Sequence, residues 1–194
     1  MNEITSQHAA IDPAPTGLES EAMDFSKTVI LIVDDNDQNV ELLQAYLEPL
    51  QCRTLKAADG FEAMRIIEQA IETRQNVPDL VLLDVMMPKM SGFEVCRKLK
   101  EDAATRSIPV MMVTALNELG DIERGVESGT DDFLSKPVNK LELLTRAKSL
   151  LRIRYYKNKL DQTRAYLQDI ETRHSLSVRD DQADAEGPGS GPVM

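Results

Sequence analysis

The sequence predicts an α/β fold in which a five-stranded, doubly wound parallel sheet is followed by a long C-terminal helical extension. The first observation is a set of short apolar, β-branched segments, which are typical of strands buried on both faces of a parallel sheet. The second is that segments of helical periodicity separate them, so that strand and helix alternate from residue 28 to residue 150. Because crossovers between parallel strands are right-handed, the helices are expected to cover both faces of the sheet.

Each predicted element can be assigned from its own residues. The predicted strands are 28–33, 52–57, 79–83, 108–113 and 132–134. Two of the five predicted helices cover residues 37–48 and 117–128. The other three are predicted to begin near Asp59, Ser91 and Asn139. Each of these three polar residues is followed three positions later by Glu, the spacing with which a side chain caps the first turn of a helix.

Charge is distributed unevenly along the 194 residues, and the distribution suggests four segments. Residues 1–26 contain acids and no Lys or Arg, which is typical of a disordered segment. Residues 27–150 form the predicted α/β domain, 151–174 a further helix, and 175–194 an acidic, Gly- and Pro-containing tail that we expect to be largely disordered. The formal net charge of −11 argues against direct binding to DNA, since neutralised phosphates supply most of that affinity.

Neither the cysteines nor the apolar segments point to an oxidising compartment or to a membrane. Cys52 and Cys96 lack the spacing of a metal site and do not suggest a disulfide framework. The first residues lack the basic and apolar regions of a signal peptide, and no apolar run approaches the length of a membrane span. We therefore expect a cytoplasmic protein that does not engage a membrane.

Polar residues stand where the predicted strands end. Asp34 and Asp35 follow the first strand, Asp84 the third, Thr114 the fourth and Lys136 the fifth. Parallel strands place their carboxyl ends at one edge of the sheet, so these side chains are expected to converge there. Three carboxylates repel one another unless a cation neutralises them, and oxygen ligands without His or Cys favour Mg²⁺. The hydroxyl and the ammonium group could bind the oxygens of a phosphoryl group.

In these motifs the sequence resembles the receiver domains of two-component response regulators, the CheY-like superfamily. The matching segments are the Asp-Asp pair after VILIV, LLDVMMPKMSG at 82–92, Val-Thr-Ala at 113–115 and Ser-Lys-Pro at 135–137. They occur in the order of the family, and the resemblance covers roughly residues 28–150. It implies a flavodoxin-like fold and a role as a signalling protein, not an enzyme.

The resemblance also implies a role for each acid. Asp84 would be the phosphoacceptor, which takes a phosphoryl group from the phosphohistidine of a histidine kinase or phosphotransfer protein. Asp35 and Asp84, with the backbone carbonyl of Met86, would bind Mg²⁺ directly. Asp34 would act on the metal mainly through a bound water.

Four further residues receive roles from the same resemblance. Thr114 would donate a hydrogen bond to one phosphoryl oxygen, and Lys136 would pair with another. Pro137 would follow a cis peptide bond. Phe133, three residues before the lysine, would be the aromatic switch that rotates between exposed and buried states.

Beyond residue 150, side chains that could form a moderately apolar seam recur in steps of three and four. The positions are Ile153, Tyr156, Leu160, Thr163, Leu167 and Ile170. An isolated polar helix of this length is marginal in water, so the seam is expected to pack against another surface. We favour a parallel coiled coil between two copies of the chain. The alternatives are a helix that packs on its own α/β domain and one that docks onto a partner protein.

The segments 33–39 and 150–160 further resemble receivers that precede cyclic-di-GMP enzymes, but no motif of such an enzyme follows. We therefore expect a response regulator that signals through protein contacts or dimer geometry. Two alternatives stay open. One is a constitutive coiled-coil scaffold, and the other is the receiver and linker of a longer regulator with a cyclic-di-GMP output enzyme.

Overall fold

The computed structural model of the chain describes residues 23–115 and 119–183. One sheet of five parallel strands has the order β2-β1-β3-β4-β5. The strands are β1 Val29–Val33, β2 Arg53–Ala57, β3 Leu80–Leu83, β4 Val110–Thr114 and β5 Asp132–Ser135. The helices are α1 Asp37–Leu47, α2 Gly60–Thr73, α3 Gly92–Glu101, α4 Leu119–Ser128 and α5 Lys140–Ala183. The predicted doubly wound fold with a long C-terminal helix is confirmed.

The three central strands are buried along their whole length, as their apolar sequences predict. Every residue of β1, β3 and β4 is buried, whereas the edge strands β2 and β5 are partly exposed. Alternate residues of a strand point to opposite faces, so the sheet has a core on each side. Leu31 and Val33 of β1 belong to the core with α2 and α3, and Ile30 and Ile32 to the core with α1 and α5.

Polar side chains begin the helices where the sequence predicts them. Asp59 accepts a hydrogen bond from the backbone amide of Glu62, and Asn139 accepts one from that of Glu142. Ser91 and Glu94 form a reciprocal capping box at the start of α3. These caps satisfy amide groups that would otherwise lack a partner in the first turn of each helix.

The amino-terminal boundary of the ordered chain differs from the prediction. Residues 23–26 fall in the segment 1–26 predicted to be disordered, yet they are ordered. Asp24 caps the short 3₁₀ helix Phe25–Lys27, and Met23 and Phe25 pack against the core shared by α1 and α5. These two apolar side chains attach the end of an acidic segment to the domain. Residues 1–22 lie outside the described residues.

The carboxyl-terminal helix extends further than the predicted segment 151–174. Its backbone is helical to Ala183, inside the segment 175–194 assigned to a tail, and residues 184–194 lie outside the description. The segment from Lys140 to Ala183 contains no Pro or Gly, which explains why the helix continues to that residue. None of the described helices is long and apolar enough to cross a membrane.

Candidate functional site

Two of the predicted acids are held side by side by the backbone of the sheet. The amide of Asp34 donates to the carbonyl of Ala57 over 3.2 Å, and the amide of Asp84 donates to the carbonyl of Val33 over 2.8 Å. These bonds continue the strand ladders by one residue and fix both backbones at the carboxyl edge. Asp34 is only 4% exposed and Asp84 only 6%.

Asp35 completes a cluster that could hold a metal ion. It is exposed, and one carboxylate oxygen from each of Asp34, Asp35 and Asp84 lies within 4.8 Å of the others. The cluster offers carboxylate oxygens without imidazole or thiolate, which is the donor set that Mg²⁺ prefers. The residues therefore fit the predicted cation.

Lys136 connects the end of β5 to both buried acids. Its Nζ lies 2.8 Å from Asp34 Oδ2 and 3.0 Å from Asp84 Oδ1. Its backbone amide donates to the carbonyl of Thr114 over 2.8 Å, which attaches the loop after β5 to the end of β4. The peptide bond between Lys136 and Pro137 is cis, the conformation that the family resemblance implies.

The electrostatics of Lys136 and Asp84 reflect burial and mutual contact. Burial raises the pKa of Asp84, and the charge of Asp34 acts in the same direction, so that the hydrogen bond and charge of Lys136 only partly offset the rise. For Lys136, burial lowers the pKa, but the hydrogen bonds and the negative charges of Asp34 and Asp84 together outweigh burial and raise the pKa above its ordinary value. The ammonium group is therefore held in its charged form between two carboxylates.

Sequence reasoning missed Asn39, which holds Asp34 from the first turns of α1. Asn39 Nδ2 lies 3.0 Å from Asp34 Oδ1 and 3.1 Å from Asp34 Oδ2. The backbone amide of Asn36 also donates to Asp34 Oδ1, over 2.9 Å. The sequence signal for this contact is a polar residue five positions after Asp34, because α1 begins at the same edge of the sheet. Asn39 does not directly follow a strand, so the pattern of strand ends does not predict it.

Thr114 and Phe133 lie on the neighbouring strands β4 and β5. Thr114 is buried and is the last residue of β4, which therefore ends one residue later than the predicted strand 108–113. Phe133 in β5 is half-buried, and its ring packs towards α4. A Cβ added to Gly125 would overlap Cζ and Cε1 of that ring, so the aromatic side chain lies directly against the helix backbone.

The loop between β3 and α3 closes tightly behind Asp84. The amide of Gly92 donates to the carbonyl of Val85 over 3.0 Å. A Cβ on Gly92 would overlap the backbone carbonyl oxygen of Asp84. Met86, whose backbone carbonyl was predicted to bind the metal, has an exposed side chain in this loop, whereas Met90 is buried.

Two further acids, Asp131 and Asp132, connect elements of the domain. Asp131 accepts hydrogen bonds from the backbone amide of Val110 and from Lys100 Nζ, over 2.7 and 2.6 Å. Asp132 accepts two hydrogen bonds from Arg146 of α5. They join β5 to the start of β4 and to α5, so their role is structural, and they lie apart from the acid cluster.

The predicted seam of α5 is exposed after the helix leaves the domain. Leu150 and Leu151 are buried, whereas the seam residues that follow are not. The large apolar members are 44–63% exposed, namely Ile153, Tyr156, Leu160, Leu167 and Ile170. Thr163 is exposed too. The alternative in which this helix packs back on its own domain is therefore not the arrangement of this structure.

Comparison with known proteins agrees with the geometry. The family model described as the response regulator receiver domain matches residues 30–148. Response regulator PleD of Caulobacter vibrioides is 45% identical over 136 residues, which are 70% of this chain and 29% of that protein. The DNA-binding dual master transcriptional regulator RpaA of Synechocystis sp. is 40% identical over 123 residues, 63% of this chain and 48% of that protein. The chain thus spans less than half the length of both relatives.

Solved structures match the same part of the chain. A putative response regulator from Chloroflexus aurantiacus is similar with a TM-score of 0.60 and 32% identity, over 65% of this chain and 98% of that chain. The receiver domain of a signal transduction histidine kinase from Syntrophus aciditrophicus is similar with a TM-score of 0.58 and 37% identity, over 64% and 90% of the two chains. Receiver domains thus occur on both regulators and kinases among these similar structures.

Proposed function

Since this chain belongs to the response regulator receiver domain family of two-component signalling, we propose that Asp84 accepts a phosphoryl group from a histidine kinase or phosphotransfer protein. The observation that carries the proposal is the position of Asp84 at the end of a central strand, 3.0 Å from Lys136 and within the acid cluster. Asp34 is a poorer nucleophile, because both of its oxygens already accept hydrogen bonds from Asn39 and one accepts a further bond from Lys136.

The transfer is a displacement at phosphorus. One oxygen of Asp84 attacks the phosphorus atom, the bond between phosphorus and the imidazole nitrogen breaks, and its electron pair returns to the ring. Asp34, Asp35, Asp84 and the backbone carbonyl of Met86 would hold Mg²⁺. When bound, the ion offsets the negative charge of the carboxylates and of the incoming phosphoryl group.

Lys136 and Thr114 would receive the phosphoryl oxygens. Lys136 already carries its charge beside Asp84 and needs only to turn from the carboxylate to a phosphoryl oxygen. The hydroxyl of Thr114, at the end of the adjacent strand, would donate to another. Movement of Thr114 would change the space available to Phe133 one strand away, and so alter the surface formed by α4 and β5.

Phosphorylation is tested by intact-protein mass after incubation with acetyl phosphate and Mg²⁺. We expect the wild type to gain the mass of one phosphoryl group, and to gain none in the presence of a chelator. Asp84→Asn should remain unmodified, whereas the control Asp37→Asn, at an exposed acid of α1, should be modified like the wild type. Modification of Asp84→Asn to the extent of the wild type would contradict the assignment.

For the output, we propose that two copies of the chain associate through the seam of α5 and that phosphorylation changes their geometry. The exposure of five large apolar side chains along one helix supports this, because their burial in a partner offsets the marginal stability of an isolated helix. Heptad spacing favours a parallel coiled coil over a flat contact.

Solution molar mass by light scattering tests the association, with and without Mg²⁺ and beryllofluoride, which stands in for the phosphoryl group on Asp84. We expect a dimer for the wild type and a monomer for the double variant Leu160→Glu, Leu167→Glu. The matched control Gln162→Glu, Gln168→Glu adds the same charge off the seam and should remain dimeric. A monomeric wild type in both conditions would contradict the coiled coil.

The length of the relatives favours a second candidate, in which the chain is the receiver and linker of a longer regulator. The chain covers 29% of PleD and 48% of RpaA, so either relative has room for further domains. A constitutive scaffold is the third candidate, and Asp84→Asn separates it from a switch. A scaffold would keep its partners and its cellular activity in that variant, whereas a switch would lose its dependence on the kinase.

We propose that phosphorylation and partner binding take place in the cytoplasm, and that the partners are proteins and not DNA. Two free thiols, at Cys52 and Cys96, fit a reducing compartment. The net charge of −11 opposes association with a polyanion.

A further inference from the structure

We propose that Asn39 is a positioning residue that orients Asp34 and thereby sets how tightly the acid cluster holds a divalent cation. The inference rests on the proposed function, because it assumes that the cluster of Asp34, Asp35 and Asp84 binds the metal. Asn39 lies in α1 and is not one of the predicted site residues that follow the strands.

The side-chain nitrogen of Asn39 contacts both carboxylate oxygens of Asp34. The amide nitrogen of Asn39 lies 3.0 and 3.1 Å from the two oxygens of Asp34, so it restrains rotation of the carboxylate as well as its position. Asp34 is buried and Asn39 half-buried. A hydrogen bond to a charged group in such a setting is stronger than one at the surface.

Asn39 itself is held by the helix that carries it. Asn36 caps α1 by accepting a hydrogen bond from the amide of Gln38, and Val40 and Leu43 of the same helix are buried in the core. The side chain of Asn39 therefore projects from a rigid element, which is what a residue needs in order to orient a metal ligand.

The role of Asn39 follows from the change of partner that the proposed reaction requires of Lys136. Lys136 Nζ binds Asp34 and Asp84 together, and in the proposed reaction it turns to a phosphoryl oxygen. Asp34 then loses its lysine contact, while its hydrogen bonds to Asn39 and to the amide of Asn36 remain. Asn39 thus keeps Asp34 in its metal-binding orientation at the moment when Lys136 leaves it.

Binding of Mn²⁺ in place of Mg²⁺ tests the proposal, because electron paramagnetic resonance measures the free ion directly. We expect Asn39→Leu, which has nearly the same volume and no donor, to raise the dissociation constant about tenfold, as loss of a residue that orients a ligand typically does. The control Gln38→Leu removes an exposed neighbouring amide that does not contact Asp34, and it should bind like the wild type.

A second readout separates orientation of the ligand from a general effect on the fold. The rate of phosphorylation by acetyl phosphate should need more Mg²⁺ in Asn39→Leu, yet approach the wild-type rate at saturating Mg²⁺, because Asn39 does not contact Asp84. If Asn39→Leu does not fold, as judged by circular dichroism, Asn39→Ala is measured in the same way and should show the same weakening.

The outcomes distinguish this inference from the proposed function. A wild type that binds Mn²⁺ with an Asn39 variant that binds equally well or more tightly would overturn the inference alone. A wild type that binds no Mn²⁺ and gains no phosphoryl group would overturn the proposed function and, with it, the inference. A loss of rate in Asn39→Leu that persists at saturating Mg²⁺ would also overturn it.

Discussion

Gly92 shows how one residue holds the loop that follows Asp84. The helix α3 starts so close to the end of β3 that a Cβ at Gly92 would overlap the carbonyl oxygen of Asp84 and lie 2.9 Å from Cα of Val85. These are backbone atoms, which cannot move aside as the end of a flexible side chain can. Glycine is therefore required here by the close approach of the chain.

We predict that Gly92→Ala destabilises the protein by about 1–3 kcal/mol, the usual cost of overpacking a closed site. At an unhindered helical position the same change would stabilise by up to about 1 kcal/mol. Urea unfolding measures the difference, with Lys98→Ala at an exposed position of α3 as the control. A stability equal to that of the wild type would show that the loop can open without cost.

Asp79 is a second residue whose environment has a measurable consequence. Its carboxylate accepts a hydrogen bond from the amide of Val29 over 3.0 Å. Burial raises the pKa of Asp79, and the hydrogen bond from Val29 and the charge of Arg154 only partly offset this. Asp24 and Lys27 line the same cleft. The charged form of Asp79 is thus less stable in the folded protein than in the unfolded chain.

We predict that Asp79→Asn becomes more stable relative to the wild type as pH rises from about 4. In the wild type, the folded protein retains the proton of Asp79 above the ordinary pKa of 3.8, where the unfolded chain has released it. Its free energy of unfolding therefore falls as pH rises through the folded pKa, and that loss is absent in the variant. Urea unfolding across this range measures the difference, with Glu72→Gln as control. A difference that stays flat would contradict the prediction.

At the scale of elements, α4 and β5 meet through a glycine and an aromatic ring. A Cβ at Gly125 would overlap the ring of Phe133 and lie 3.5 Å from Sδ of Met112. Here the obstacle is the far end of a side chain, which could swing outward. The position of the Phe133 ring therefore depends on the absence of a side chain at Gly125.

We predict that Gly125→Ala destabilises the wild type but costs less in a Phe133→Leu background. The coupling between the two substitutions should be about 0.5 kcal/mol or more, as expected for residues in direct contact. Val126→Ala, at an exposed neighbouring position, should combine additively with Phe133→Leu. Equal costs of Gly125→Ala in both backgrounds would mean that the ring does not limit the helix.

The elements were predictable from the sequence where a local pattern determines them. The run Leu80–Leu83 followed by Asp84 predicted both a buried strand and the place of its acid, because parallel strands end at one edge. The partners of that acid were less predictable. Lys136 was found because it also follows a strand, whereas Asn39 contacts Asp34 from a helix, and a pattern of strand ends carries no information about it.

Other contacts depend on tertiary packing in the same way. Asp131 binds Lys100 and the amide of Val110, which are distant in sequence, so its structural role depends on tertiary packing that composition does not report. Residues 23–26 belong to an acidic segment whose composition predicts disorder. Met23 and Phe25 pack on the core nonetheless.

At the scale of the whole molecule, the sheet brings three like charges together at one edge. The cluster formed by Asp34, Asp35 and Asp84 has one described ammonium group, that of Lys136, bound to two of its members. A cation that binds the folded cluster and not the unfolded chain must stabilise the fold by mass action.

We predict that Mg²⁺ raises the free energy of unfolding of the wild type, by about 2.7 kcal/mol when its concentration is about 100 times the dissociation constant. Asp35→Asn should lose most of this increase, because Asp35 is exposed and its substitution removes a ligand without disturbing the core. Urea unfolding at constant ionic strength measures the effect, and Asp37→Asn should respond to Mg²⁺ like the wild type. An equal response of Asp35→Asn would exclude Asp35 as a ligand.

The central claim is that Asp84 is the phosphoacceptor, and peptide mapping after borohydride reduction tests it most directly. Borohydride reduces an acyl phosphate to an alcohol, so a phosphorylated aspartate becomes homoserine at its own position. After incubation with acetyl phosphate and Mg²⁺, we expect homoserine at position 84 and at no other acid of the cluster. Homoserine at position 34 or 35, with an unmodified Asp84, would contradict the account.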